Sequence, residues 1–166
     1  MAGSMIIVLM GTTGAGKTTV GRLLAERLGC AFEDGDDFHP ASNVDKMRRG
    51  VPLDDADRAP WLAAIDSAVR QWSSEGRDVV LACSLLKRAY RERIYQGADT
   101  RLVYLRATYD DLYRRLLART GHFADERLLA SQFAILEEPG DAITVDAMRS
   151  PETIVDDIRN ALTESA

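Results

Sequence analysis

Apolar positions along this chain follow two rhythms. Short unbroken apolar runs occur at residues 6–10, 79–83 and 102–105, with mostly apolar stretches at 30–33 and 142–145. Runs of that length, bounded by turn residues, predict strands covered on both faces. Between them, apolar residues recur at helical spacing. One stripe is Val20, Leu23, Leu24 and Leu28, another Trp61, Leu62, Ile65, Ala68, Val69 and Trp72. Tyr109, Leu112, Tyr113, Leu116 and Leu117 make a third, and Ile154, Val155, Ile158 and Leu162 a fourth behind Pro151. Gly29, Gly50-Val51-Pro52, Gly76 and Pro139-Gly140 stop the segments. A short helix is predicted after the turn at 39–43, running to about Arg49. A longer one opens at Asp54 to Asp57. Ser84 is expected to cap a helix reaching about Gln96. Residues 120–124 interrupt the helical pattern before a further helix to Glu138. Strands alternate with helices throughout, so the fold class is α/β: a five-stranded parallel sheet with helices on both faces. Residues 5–166 read as one domain, and Met1-Ala2-Gly3-Ser4 ahead of Met5 as an appended leader outside it.

The first strand runs into Gly11-Thr12-Thr13-Gly14-Ala15-Gly16-Lys17-Thr18, and a helix follows. This is the pattern of a P-loop in its required strand–turn–helix setting. The glycines let successive N–H groups curl around a polyphosphate, and the helix start adds its own unpaired N–H groups. Lys17 is placed to reach the β- and γ-phosphates, and the Thr18 hydroxyl to hold Mg²⁺. Thr19 continues the nucleotide-binding stretch. ATP and Mg²⁺ are therefore the expected cofactors of a P-loop NTPase fold.

Ligands of such sheets sit beyond the carboxyl ends of the strands. The second strand delivers Asp34 and Asp36 there. Read as extended, they share one face. One can serve the Mg²⁺ shell while the other orients or deprotonates an acceptor hydroxyl. The third strand ends without an acidic residue, which favours Asp34 for the metal and leaves Asp36 for the hydroxyl. Ser84, Lys87 and Arg91, on one predicted helix, form a candidate anion site. Arg115 and Arg119 are four apart on another helix, just before Gly121. That pattern suits a lid over 119–125, with Arg119 the cation that meets the phosphates and Arg115 a nucleotide contact. His39, near Asp36, can hydrogen-bond a polar substrate. His122 belongs with the lid.

Composition narrows the classes. With 166 residues, 46 % hydrophobic and a formal net charge of −5, the chain is globular and is no general nucleic-acid binder. Its cations are nevertheless bunched, which suits a small anionic ligand. The 2 cysteines, Cys30 and Cys83, suggest neither a disulfide framework nor a zinc site. No apolar run is long enough to span a membrane and nothing reads as a signal peptide, so a cytoplasmic location is expected.

Taken together, several motifs resemble the gluconokinases, small P-loop kinases of D-gluconate related in fold to shikimate and nucleoside monophosphate kinases. They are the loop from Gly11 to Thr18, Asp34-Gly35-Asp36 with Phe38-His39-Pro40, Asn43 with Lys46-Met47, and Gly50 with Pro52-Leu53. Asp57-Arg58 with Pro60-Trp61-Leu62, Cys83-Ser84 with Leu86-Lys87, and Tyr90-Arg91 continue the series. Arg115-Leu116 with Arg119, Gly121-His122-Phe123, Gln132-Phe133, and Leu136-Glu137 with Pro139 complete it. The resemblance covers nearly all of residues 5–163. It implies transfer of the ATP γ-phosphate to the 6-hydroxyl of D-gluconate, an acceptor pocket in residues 38–62 that includes Lys46 and Arg58, and a homodimer. Thr12-Thr13 stands where relatives often have Val-Ser, a change that leaves the phosphate-cradling backbone alone. A shikimate-type kinase is the alternative on the same fold. A nucleotide-dependent switch is the alternative of another class.

Overall fold

Strand β1 (Ile6–Met10) explains the rest of the architecture, because every one of its side chains is buried. The computed structural model describes residues 4–94, 97, 99–119 and 123–164. In it, β1 lies between β3 (Val79–Ala82) and β4 (Thr100–Arg106). Strands β2 (Ala31–Asp34) and β5 (Ile143–Asp146) form the edges, giving the order β2-β3-β1-β4-β5. All the strand pairs are parallel, with Val8 opposite Leu81 on one side and Leu102 on the other.

Successive side chains of a strand point to opposite faces, and the two faces carry separate cores. Ile6, Val8 and Met10 pack with Trp61, Leu62, Ile65, Val69 and Trp72 of α3 (Asp55–Ser74). Ile7 and Leu9 pack with Val20 and Leu24 of α1 (Lys17–Leu28) and with Ile154, Val155 and Ile158 of α7 (Pro151–Glu164). A sheet covered on both faces has no polar alternation, hence the unbroken apolar runs. A third, smaller cluster joins Leu112 and Leu116 of α5 (Tyr109–Arg119) to Leu129 of α6 (Phe123–Ile135). The remaining helices are α2 (Ala41–Arg48) and the short α4 (Arg88–Glu92).

The structure departs from the sequence pattern in three places that bear on the site. Residues Gly35–Phe38 form a 3-10 turn, not an extension of β2, and the Asp34 carboxylate caps it by accepting from the Asp36 N–H at 3.0 Å. Gly35 is required there: a Cβ would lie 2.7 Å from the Ala82 carbonyl oxygen. Ser84 does not start a helix. Leu85 takes a left-handed φ of 39°, and the helix begins only at Arg88. The Leu85 and Leu86 carbonyls are instead bound by the Arg91 guanidinium at 2.8 and 3.2 Å. Helix α6 begins at Phe123, inside the expected interruption, and ends at Ile135, short of Glu138. There the Glu137 N–H leaves to pair with the Leu86 carbonyl at 2.8 Å. Ser4 is buried, its hydroxyl against the Ser73 carbonyl.

Candidate active site

The P-loop curls at the carboxyl end of β1. Gly14 and Gly16 take φ of 82° and 92°, a region closed to most side chains. These angles let Val20 N–H start the α1 ladder on the Gly16 carbonyl at 2.9 Å. The Lys17 ammonium donates to the Gly11 and Thr12 carbonyls at 2.9 and 3.0 Å. Burial pushes it below the ordinary lysine range, and the nearby Asp36 carboxylate pulls it back. The Thr18 hydroxyl donates to Asp34 Oδ2 at 3.3 Å.

Across the loop from these groups lies a cleft of about 310 Å³. Lys17, Thr18, Thr19, Asp34 and Asp36 line it. His39, Met47, Leu53, Arg58 and Trp61 line it too, as do Ser84, Arg119, Leu128 and Gln132. Trp61 sets much of the cleft wall. Its ring stacks on His39 at 4.5 Å and its Nε1–H donates to the Gly35 carbonyl at 2.7 Å. Arg58 is held by the Leu53 carbonyl at 2.8 Å, by the Tyr90 hydroxyl at 3.2 Å and by the Tyr90 ring face.

Asp36 is the perturbed carboxylate of the cleft. Much of its surface meets solvent, yet it sits in a crowded concavity. Desolvation first, and then the Asp34 charge, raise its pKa above the ordinary aspartate value, against a lowering pull from Lys17. His39 is pushed down to about 4 by burial and then by the Arg58 charge, so the ring is neutral in the physiological range. Buried Cys83, at the end of β3, is held as a thiol, its pKa raised chiefly by burial.

Comparison with known proteins decides the family. A family model described as an AAA domain matches residues 7–128. The gluconokinase of Gluconobacter oxydans is 45 % identical over 157 residues, covering 92 % of this chain and 88 % of that protein. The chain belongs to the gluconokinase family. A crystal structure of a gluconokinase from Sinorhizobium meliloti superposes with a TM-score of 0.86 at 38 % identity, over 99 % of this chain and 94 % of that one. A shikimate kinase from Bacteroides thetaiotaomicron superposes at 0.66 with 22 % identity, over 96 % of this chain and 98 % of that one. That likeness concerns the fold alone.

Within this gluconokinase-family fold, the sequence-derived candidates divide. Thr13, Gly14, Gly16, Lys17, Thr18, Thr19, Asp34, Asp36, His39, Arg58, Ser84 and Arg119 meet in the cleft. Gly11, Thr12 and Ala15 form the buried back of the loop. Four cations go elsewhere. Lys46 pairs with Asp57 at 2.8 Å, and Lys87 with Asp55 at 3.2 Å. Arg91 is buried, and besides the Leu85 and Leu86 carbonyls it binds the Glu137 carbonyl at 3.0 Å. It ties α4 to the segment after α6, so Ser84, Lys87 and Arg91 do not form one anion site. Arg115 donates to the Gly14 carbonyl at 2.8 Å and to the Ala147 carbonyl at 3.1 Å, bracing the P-loop from behind. The expected lid runs over Thr120, Gly121 and His122, which lie outside the described residues.

Two residues of consequence were not singled out as site residues from the sequence. Gln132 Oε1 accepts from the Thr13 N–H at 2.6 Å and so joins α6 to the P-loop. Asn43 is buried between His39 and α3. Both stand in the series that carries the family likeness, but no local pattern marks either as a contact.

Proposed function

We infer that this enzyme transfers the γ-phosphoryl group of ATP to the 6-hydroxyl of D-gluconate, giving 6-phospho-D-gluconate. The observation that carries the reading is the convergence of Lys17 and Thr18, on the P-loop, with Asp36, His39 and Arg58 in one cleft, in a chain of the gluconokinase family. A sugar acid brings hydroxyls for the carboxylate and imidazole and a carboxylate for the guanidinium.

The chemistry follows from those positions. The acceptor hydroxyl oxygen bonds to the γ-phosphorus. The bond from that phosphorus to the β,γ-bridging oxygen breaks, and ADP leaves. Asp36, with its raised proton affinity, accepts the hydroxyl proton. Lys17 and Arg119 balance the charge that spreads over the transferring group.

Thr18 and Asp34 supply adjacent hard oxygen ligands, and Mg²⁺ needs few protein ligands when phosphates complete its shell. They would hold that ion. Bound with the nucleotide, Mg²⁺ neutralises phosphate charge. A cytoplasmic setting and a homodimer belong to the same proposal, the second checked by light scattering. Among the described residues, no helix is long and apolar enough to cross a membrane.

A coupled ADP-release assay with gluconate, shikimate and nucleoside monophosphates tests the reading. Gluconate alone should accelerate turnover, with phosphate appearing on its terminal carbon by ³¹P NMR. Faster turnover with shikimate, or ATP hydrolysis that no acceptor accelerates, overturns it.

A further inference from the structure

The side chain of Asn43 bridges His39 and α3. Asn43 is 1 % exposed, on α2 between the imidazole and α3. Its Nδ2 lies 2.8 Å from the Asp57 main-chain oxygen. A carbonyl only accepts, so the amide nitrogen, not the amide oxygen, faces α3. The same nitrogen lies 3.1 Å from His39 Nδ1. An amide nitrogen only donates, so Nδ1 must offer its lone pair, and the proton of the neutral ring is on Nε2.

The ring has little freedom to choose otherwise. Its side chain is 4 % exposed, and it stacks on Trp61 with 11° between the planes. The Nε2 edge is turned toward Asp36, with Oδ1 at 4.0 Å, longer than a hydrogen bond. Both residues line the cleft.

We propose that Asn43 is a positioning residue which holds His39 as the Nε2–H tautomer, so that the ring donates a hydrogen bond to an oxygen of the acceptor substrate and leaves proton removal to Asp36. The role given to the donated bond rests on the gluconate-kinase reading; the tautomer does not. Besides the Trp61 face, three polar groups surround the ring: Asn43 from α2, Asp36 from the 3-10 turn and Arg58 from α3. Arg58 and burial disfavour the imidazolium, which keeps the ring a neutral donor. A buried donor at a set place favours an acceptor with an oxygen there and penalises one without it. The substrate class this selects is a polyhydroxy acid, and a deoxy analogue lacking that one oxygen should be rejected.

The test begins with the unaltered, ¹⁵N-labelled chain, without substrate. Two-bond ¹H–¹⁵N spectra resolve the ring nitrogens of the 2 histidines, and His39→Gln assigns them. His39 should show a lone-pair-type Nδ1 and a protonated-type Nε2, unchanged between about pH 5.5 and 8. A protonated Nδ1 overturns the proposal. Asn43→Asp replaces the donor by an acceptor and should move the proton to Nδ1. KM for gluconate should then rise by ~10-fold or more with kcat less affected, the pattern of a lost binding contact. A merely structural role predicts a lower active fraction with KM and tautomer unchanged, and that result overturns the proposal. If Asn43→Asp does not fold, His39→Gln and His39→Met decide alongside the wild-type spectrum. Gln keeps an N–H donor and should retain more kcat/KM than Met; equal losses overturn the proposed donor. If the wild type phosphorylated shikimate instead of gluconate, the functional reading would fall, while the substrate-free spectrum would still decide the tautomer.

Discussion

Trp61 Nε1 donates a 2.7 Å hydrogen bond to the carbonyl oxygen of Gly35, and by that bond the α3 core holds the turn that carries Asp36. The two residues are distant in sequence, and both are buried. Trp61→Phe keeps an aromatic surface for His39 but leaves the Gly35 carbonyl without that donor. Losing one hydrogen bond to a buried acceptor costs about 0.5–1.5 kcal/mol. The variant should unfold at lower urea concentration by that amount, and its kcat should fall because the Asp36 turn loosens. Wild-type stability and kcat in Trp61→Phe would mean that the bond does not position the turn.

Lys17 is bound to the loop's own Gly11 and Thr12 carbonyls, and phosphate oxygens must compete with those bonds. Lys17→Ala removes the loop's principal cation. Turnover should drop by at least ~10²-fold, the scale of a lost electrostatic contact in a catalytic site, while circular dichroism shows a folded chain. Normal turnover by that folded variant would remove Lys17 from the mechanism.

Asp36 gives the reaction a pH signature. Its carboxyl is raised above the ordinary value of 3.8, first by desolvation and then by Asp34. Only the ionised form accepts a proton, so kcat/KM should decline on acidification with a limb above that value. Asp36→Asn should keep ATP affinity and lose phosphoryl transfer. If Asp36→Asn instead lost ATP affinity and transferred normally once loaded, its part would be at the metal, and Asp34 would take the base's role.

The reach of the sequence can be judged residue by residue. The P-loop was legible because its chemistry demands fixed residue types at fixed spacing, and the parallel sheet because two-sided burial removes polar alternation. Arg91 was misread. A guanidinium one turn from Lys87 has the same spacing whether it faces solvent or binds three main-chain carbonyls. Only the left-handed Leu85 and the later path of Glu137 reveal the second case. The ion pairs of Lys46 and Lys87 were hidden for a related reason. Their partners Asp57 and Asp55 open α3, and pairing between segments follows from packing, not from local pattern. Asp34 and Asp36 reached one site as expected, though by a 3-10 turn where extended alternation had been assumed.

Arg119 ends α5 and lines the cleft, whereas Arg115, one turn earlier, is engaged with the Gly14 and Ala147 carbonyls. The two arginines should therefore differ in kinetics. Arg119→Ala should lower kcat by ~10²-fold or more with little change in gluconate affinity, since its charge matters most when charge spreads over the phosphoryl group. Arg115→Ala should chiefly lower thermal stability and loosen ATP binding through the P-loop. Equal effects of the two variants on kcat would contradict this division.

His39 should also make stability depend on pH, with a sign set by its surroundings. In the unfolded chain the imidazole titrates near 6.5; in the fold, burial and Arg58 bring it down to about 4. Between those values the unfolded chain binds a proton that the native ring refuses. Acidification through that window therefore favours unfolding, and above 6.5 the contribution is complete. The gap between the two values corresponds to about 3 kcal/mol lost on going from neutral pH to pH 4. Urea titrations of the wild type and of His39→Gln at several pH values isolate this contribution, because glutamine cannot titrate. The wild type should lose stability more steeply than His39→Gln between pH 6.5 and 4, and the two curves should run parallel above that range. Parallel curves throughout would mean that His39 titrates in the fold as it does in the unfolded chain, and that neither its burial beside Trp61 nor the Arg58 charge holds the ring neutral.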